Sequence, residues 1–370
     1  MDLPLLWLSG PSGVGKSSVG WEVFARLSRD GVTTAFVDGD QIGMCHPLPE
    51  NGAHALRARN LAAMLPHFRQ EGVRCLVLSG FVDTAEEVAE YTSRMPGVAF
   101  TSCRLWVGGA ELRRRFLARG WRPDLVEDAV AEAAGLERST YADLCVDTGG
   151  LGVAEAARLV RERAAGGWPG VLPAVTPHEV AAPVDSGTAP VLWFAGATAS
   201  GKSTIAYEIF REVFRSGTPA AYVDVKQIGV LRPIGDDLRL KARNLAAVWA
   251  GYREAGAECL IVSGEAGSDD TIRRYAELLP KAPLTVCRLH AGPATLAERV
   301  ARRGRGEGPA LPGDEMKNRD MGALRRIAER AAAEAQTGGE GLRIDTDGLQ
   351  VHEVVALVRD RIGDWPTARP

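Results

Sequence analysis

The sequence predicts an α/β protein of two tandem domains, each a roughly five-stranded parallel sheet flanked by helices. Three observations carry that expectation. The chain of 370 residues repeats itself in order, and within each repeat short apolar runs alternate with amphipathic ones. The first apolar run of each repeat also ends in a glycine-containing loop of one type, GPSGVGKSS at residues 10–18 and GATASGKST at residues 196–204. Alternating strands and helices form a parallel sheet with crossover helices, and ligands of such sheets bind at the carboxyl ends of the strands.

The repeat is a ladder of matches. Setting Lys16 on Lys202 brings AFVDGDQIG (35–43) onto AYVDVKQIG (221–229) and RARNLAA (57–63) onto KARNLAA (241–247). CLVLSG (75–80) then meets CLIVSG (259–264), and VDTGGL (146–151) meets IDTDGL (344–349). The second copy is 14 residues longer in the stretch after Arg303 than the first is after Arg119. Residues 166–188 are rich in Pro and Gly and have neither the strand nor the helix period, which is linker composition. The predicted domains are therefore 1–165 and 189–370.

Each element of the first half has a local reason. LPLLWLSG (3–10) is a nearly continuous apolar run, as a strand buried on both faces should be. Val19, Val23 and Leu27 recur at helical spacing and predict a helix over 16–29. TTAFVDGD (33–40) reads as the second strand, residues 54–72 as helical at least in part, and CLVLSG as the third strand. A helix over 84–94, a strand at 103–107, arginine-rich helices, a strand at 143–147 and a last helix from Val153 complete the half. The six cysteines include no CxxC pair and sit mostly in apolar runs, so they read as reduced and buried.

Composition narrows the function. With 44 Lys and Arg against 47 Asp and Glu, the net charge of -3 gives no reason to expect nucleic acid as the main partner. No run approaches the roughly 18 apolar residues that span a bilayer, and the N-terminus has no signal-peptide pattern, which predicts a cytoplasmic protein without a membrane segment. A small molecule is the expected partner, and oligomerisation is left open.

The glycine loops point to phosphate. In GxxxxGK[ST], Gly10, Gly13 and Gly15 let backbone N–H groups turn inward around phosphate oxygens, with Ser12, Val14 and Ser18 completing the loop. Lys16 reaches the β- and γ-phosphates, Ser17 is placed for Mg²⁺, and the following helix adds its positive N-terminus. Gly196, Thr198, Ala199, Ser200, Gly201, Lys202, Ser203 and Thr204 repeat the arrangement, with Ser203 at the metal position. The expected cofactors are ATP and Mg²⁺.

After the second strand, Asp38 and Asp40 lie two residues apart, facing one way at strand period. One carboxylate can take an acceptor's proton or help hold Mg²⁺, and the other can fix the acceptor. The second half keeps the first acid as Asp224 but has Lys226 in place of Asp40, so the two acceptor positions differ. The third strands end in Ser79 and Ser263, candidates for the Mg²⁺ shell or the acceptor, and lack the acidic pair of motor ATPases.

The loop, the DGD of residues 38–40 and the RARN helix with Arg57 and Asn60 together resemble adenylylsulfate kinase. More broadly, each half is similar to the small-molecule kinases of the P-loop superfamily, the gluconate, shikimate and chloramphenicol phosphotransferase types among them. That resemblance implies two nucleoside-kinase-like P-loop NTPase domains, each with a mobile arginine-bearing lid. It implies that Arg57 and Asn60, and in the second half Lys241 and Asn244, contact the acceptor. It implies that Arg115 and Arg119, and likewise Arg299 and Arg303, close over the phosphates. The loop after the last strand, DTGGL or DTDGL, is expected to lie against the base. The chain departs from the adenylylsulfate pattern where Gln41, Ile42 and Gly43 follow the DGD. Two readings follow: an ATP-dependent kinase of a small metabolite, or a tandem ATP-binding switch in which one or both halves are silent.

Overall fold

The computed structural model describes residues 2–118, 123–164, 168–169, 187–233, 237–264, 268–307, 312–317 and 319–367. The first half runs β1 (Leu3–Ser9), α1 (Lys16–Arg29), β2 (Thr34–Asp38), β3 (Cys45–His46), α2 (Gly52–Gln70), β4 (Cys75–Ser79) and α3 (Ala85–Arg94). It continues with β5 (Val98–Trp106), α4 (Gly109–Leu117), α5 (Val126–Leu136), β6 (Leu144–Asp147) and α6 (Val153–Arg163). The second half opens with β7 (Val191–Gly196), α7 (Lys202–Arg215), β8 (Ala220–Asp224), β9 (Ile228–Arg232), α8 (Leu238–Glu254) and β10 (Cys259–Ser263). It closes with α9 (Asp269–Ala276), β11 (Leu284–His290), α10 (Pro293–Gly304), α11 (Met321–Gln336), β12 (Leu342–Asp345) and α12 (Val351–Ile362). Most of the predicted linker, 166–188, lies outside the described residues.

Each half supplies five parallel strands, in the order β6-β5-β1-β4-β2 and β12-β11-β7-β10-β8. The sixth strand of each sheet comes from the other half. β9 runs antiparallel to β2, pairing Thr34 with Arg232 and Phe36 with Val230. β3 does the same on β8, pairing Cys45 with Ala221 and His46 with Ala220. The exchange covers two edges that would otherwise expose unpaired backbone. It also explains why the sheets are six-stranded and mixed where five parallel strands are expected.

A continuous apolar cluster crosses the seam between the halves. Leu61, Met64 and Phe68 of α2 join Leu245, Trp249 and Tyr252 of α8 in one buried cluster that also includes Trp7 and Trp193. Burying a side chain of this size contributes about 1.5–3 kcal/mol. α2 runs unbroken through Pro66, which would ordinarily end a helix. Around the cluster, Arg59 pairs with Glu254 at 2.9 Å and Arg243 donates to Gln70 Oε1 at 2.5 Å. Among the described residues no helix is long and apolar enough to cross a membrane.

Candidate active site

The first strand of each half delivers its loop onto the helix that follows. Gly10 leaves β1 at φ 127°, and a Cβ there would stand 2.3 Å from the Leu105 carbonyl oxygen. Gly196 repeats this at φ 136°, with its would-be Cβ 2.3 Å from Leu289 O. Only glycine fits at either position. Where the first loop has Gly13 at φ 94°, the second holds Ala199 in the left-handed region at φ 65°. That conformation costs a residue with a side chain about 1–2 kcal/mol.

Both loop lysines fold over their own loops. Lys16 Nζ donates to Gly10 O at 2.8 Å and Pro11 O at 3.1 Å. Lys202 Nζ donates to Gly196 O at 2.7 Å and Ala197 O at 2.8 Å. Helices α1 and α7 begin at these lysines with no side-chain cap and no acid in the first turn. Their N-terminal N–H groups and partial positive charge are therefore left for an anion. Ser17 and Ser18, and Ser203 and Thr204, occupy the first turns, while Val14 and Ser200 are buried beneath the loops.

The first site gathers its acids at the end of β2. Asp38 Oδ1 accepts the Asp40 N–H at 3.0 Å. Burial, and then the Asp40 carboxylate beside it, push Asp38 up to about 7, against the pull of Lys16 and Arg57. Arg57 reaches from α2 to Asp40, Nη2 to Oδ1 at 3.3 Å. Ser17 Oγ lies 3.3 Å from Ser79 Oγ. Lys16, Ser17, Asp38, Asp40, Arg57 and Ser79 thus meet at the carboxyl ends of β1, β2 and β4.

The second site is wired differently. Asp224 is buried; its Oδ2 accepts from Ser203 Oγ at 2.7 Å and its Oδ1 from the Lys226 N–H at 3.0 Å. Ser263 Oγ lies 2.8 Å from the Tyr222 hydroxyl. Lys241 pairs with Asp237 at 2.7 Å, both side chains buried. Burial, followed by the neighbouring Lys226, lowers Lys202 to about 7.

The predicted arginines divide. Arg115 Nη1 donates to Val14 O at 3.2 Å and Thr148 Oγ1 at 3.0 Å, and its Nη2 to Thr148 O at 2.6 Å. Arg299 repeats this on Ser200 O at 3.1 Å and on Thr346 Oγ1 and O, each at 3.0 Å. Each guanidinium fastens the phosphate loop to the loop after the last strand. Arg303 pairs with Asp314 at 2.7 Å, within the longer second-half stretch. Arg119 lies outside the described residues.

Asn60 and Asn244 are fully buried at the seam. Asn60 Nδ2 donates to Ile42 O at 2.8 Å and Asn244 Nδ2 to Ile228 O at 2.7 Å, while Asn244 Oδ1 lies 3.0 Å from His67 Nδ1. They bear on the sites through the backbone they hold. Two glutamates escaped the sequence reading. Glu132 Oε2 accepts the Ser12 N–H at 3.0 Å, and Glu334 Oε2 the Thr198 N–H at 3.1 Å, tying each arginine-region helix to its loop. The signal was present as a shared AEA, residues 131–133 and 333–335.

Among the described residues no group of three or more His, Cys, Asp and Glu could hold a metal by itself. A magnesium ion carried on phosphates needs less, since it keeps several waters and takes one or two protein ligands. Ser17 beside Ser79, and Ser203 with Asp224, fit that demand.

No protein-family profile matches the chain, and no curated protein matches it. Solved structures that resemble it each span about half of it. The APS kinase CysC of Mycobacterium tuberculosis, in complex with AMPPNP and APS, is 17% identical, with 48% of this chain and 98% of that one covered at a TM-score of 0.34. A gluconokinase from Sinorhizobium meliloti 1021 is 19% identical, with 42% and 89% covered at a TM-score of 0.32. The Deinococcus radiodurans tunicamycin resistance protein is 14% identical, with 43% and 94% covered at 0.30.

Proposed function

We propose that the chain is an ATP- and Mg²⁺-dependent phosphotransferase acting on a small metabolite, with transfer in the first half. One observation carries the reading: Asp38, pushed up to about 7, stands with Asp40 and Arg57 beside a phosphate loop and its lysine. ATP would lie on the 10–18 loop, and Mg²⁺ on its phosphates would neutralise charge, next to Ser17. Lys16 and the α1 N-terminus stabilise the charge that spreads over the phosphoryl oxygens. The Asp40–Arg57 pair orients the acceptor. As the acceptor oxygen bonds to phosphorus and the bond to the leaving diphosphate breaks, Asp38 takes the hydroxyl proton.

The second half reads as a nucleotide site without transfer. Lys226 stands where the first half has Asp40, which puts a cation in place of the second acid of that pair. The test is transfer of label from γ-labelled ATP into a pool of cellular small molecules, by the wild type, Lys16→Ala and Lys202→Ala. The expected outcome is one labelled product, lost in Lys16→Ala and kept, at altered rate, in Lys202→Ala. No labelled small molecule, despite nucleotide binding, would replace the kinase with the tandem switch.

A further inference from the structure

The two halves differ at one buried point of the seam. β9 meets its host strand β2 over several rungs, but β3 meets β8 over only two, Cys45 with Ala221 and His46 with Ala220. Beyond those rungs the edge of β8 is completed by other means. The Tyr222 N–H donates to Met44 O at 2.9 Å, and the Asp224 N–H donates to the side chain of Gln41, Oε1 at 2.8 Å. Gln41 belongs to the other half and directly follows Asp40. Its amide oxygen stands in for a missing backbone rung at the residue whose carboxylate holds Ser203.

Gln41 is itself held from the second half. The Tyr252 hydroxyl donates to Gln41 O at 2.9 Å and accepts the Met44 N–H at 3.1 Å. Tyr252 is fully buried, and burial raises its hydroxyl far above the usual range. It therefore acts as a neutral donor and acceptor at any ordinary pH. Its counterpart in the repeat is Phe68, which has no hydroxyl to offer, and that crossover is secured by the longer β9 instead.

We infer that Gln41 is a positioning residue for the second half's site: it fixes the Asp224 backbone so that the carboxylate meets Ser203, and that site is assembled by both halves. The inference rests on the second half being a nucleotide site. Asp224 Oδ2 and Ser203 Oγ are 2.7 Å apart, and a buried N–H left without its acceptor would draw the end of β8 away from that geometry. The consequence is directional. Changing Gln41 should act on the site across the seam more than on its own loop.

The experiment is titration calorimetry with Mg²⁺ and AMPPNP on the full chain, in two backgrounds. Lys16→Ala leaves the second site to be read, and Lys202→Ala the first. Gln41→Leu keeps the volume and removes the acceptor; Gln41→Glu keeps an acceptor oxygen. The expected result is a roughly 10-fold weaker second site in Gln41→Leu, recovery to within about threefold in Gln41→Glu, and a first site within about twofold of its starting affinity in both. A merely structural role would lower the melting temperature and weaken both sites alike, and that result overturns the proposal. Unchanged affinity at the second site in Gln41→Leu overturns it too. The proposed function fails separately, on the labelled-transfer assay, which does not enter this comparison.

Discussion

Asp38 is the residue whose environment does most for the proposed chemistry. Its ordinary value of 3.8 is raised to about 7 in the folded chain, chiefly by burial and then by Asp40. A raised folded value means the folded state holds the proton more tightly than the unfolded one. Stability from this group is therefore complete below about 3.8 and is lost as pH climbs to about 7. Asp38→Asn should then be more stable than the wild type at pH 8, on the order of 1–3 kcal/mol. The gain should shrink steadily from pH 7 to pH 4, as urea unfolding at each pH will read. The same variant should abolish labelled transfer, because an amide cannot take the acceptor's proton. A gain in stability that does not vary with pH would mean Asp38 stays ionised throughout, and would remove it as a base poised near neutrality.

At the scale of elements, the two phosphate loops, the strands that deliver them and the helices that follow were all legible in the sequence, because each is a local pattern repeated in order. The exchanged strands were not. Cys45–His46 is two residues long and carries no period, and Ile228–Arg232 reads as one more apolar run until its antiparallel partner is known. The RARN and KARN helices illustrate the limit. Their repetition signals shared purpose, but Arg57 turns to Asp40 and Lys241 to Asp237, while Arg59, Asn60, Arg243 and Asn244 serve the seam. Residue types suited to an acceptor are equally suited to a buried polar interface, and spacing alone does not separate the two uses. The seam makes its own prediction. Tyr252→Phe reproduces the side chain found at Phe68, so its shape is tolerated, but Gln41 O and the Met44 N–H both lose a partner. The variant should lose about 1–3 kcal/mol of stability. Denaturant unfolding checks this, and a loss under 0.5 kcal/mol would mean the hydroxyl is not what holds the crossover.

At the scale of the whole molecule, the two repeated halves complete each other's sheets. Each half surrenders an edge strand and receives one, and the largest apolar cluster draws on α2 and α8 together. A half cut free would expose the unpaired edge of β2 or β8 along with Phe68 or Trp249 and their neighbours. Both are liabilities that proteins cover or avoid. The halves are thus closer to two subunits of an obligate dimer joined end to end than to two beads on a string, and their stability is inseparable from their association. The change from Asp40 to Lys226 between the halves leaves the fold intact because the seam is built from other positions. Residues 1–165 and 189–370, produced separately, should each be aggregated, or self-associate by swapping the same strand. Produced together as two chains, they should form a 1:1 complex that unfolds in one transition. Sedimentation equilibrium and calorimetry decide it. A soluble monomeric half with its own cooperative transition would show that the seam is an accessory contact, and the coupling argued for Gln41 would then have no rigid frame to act through.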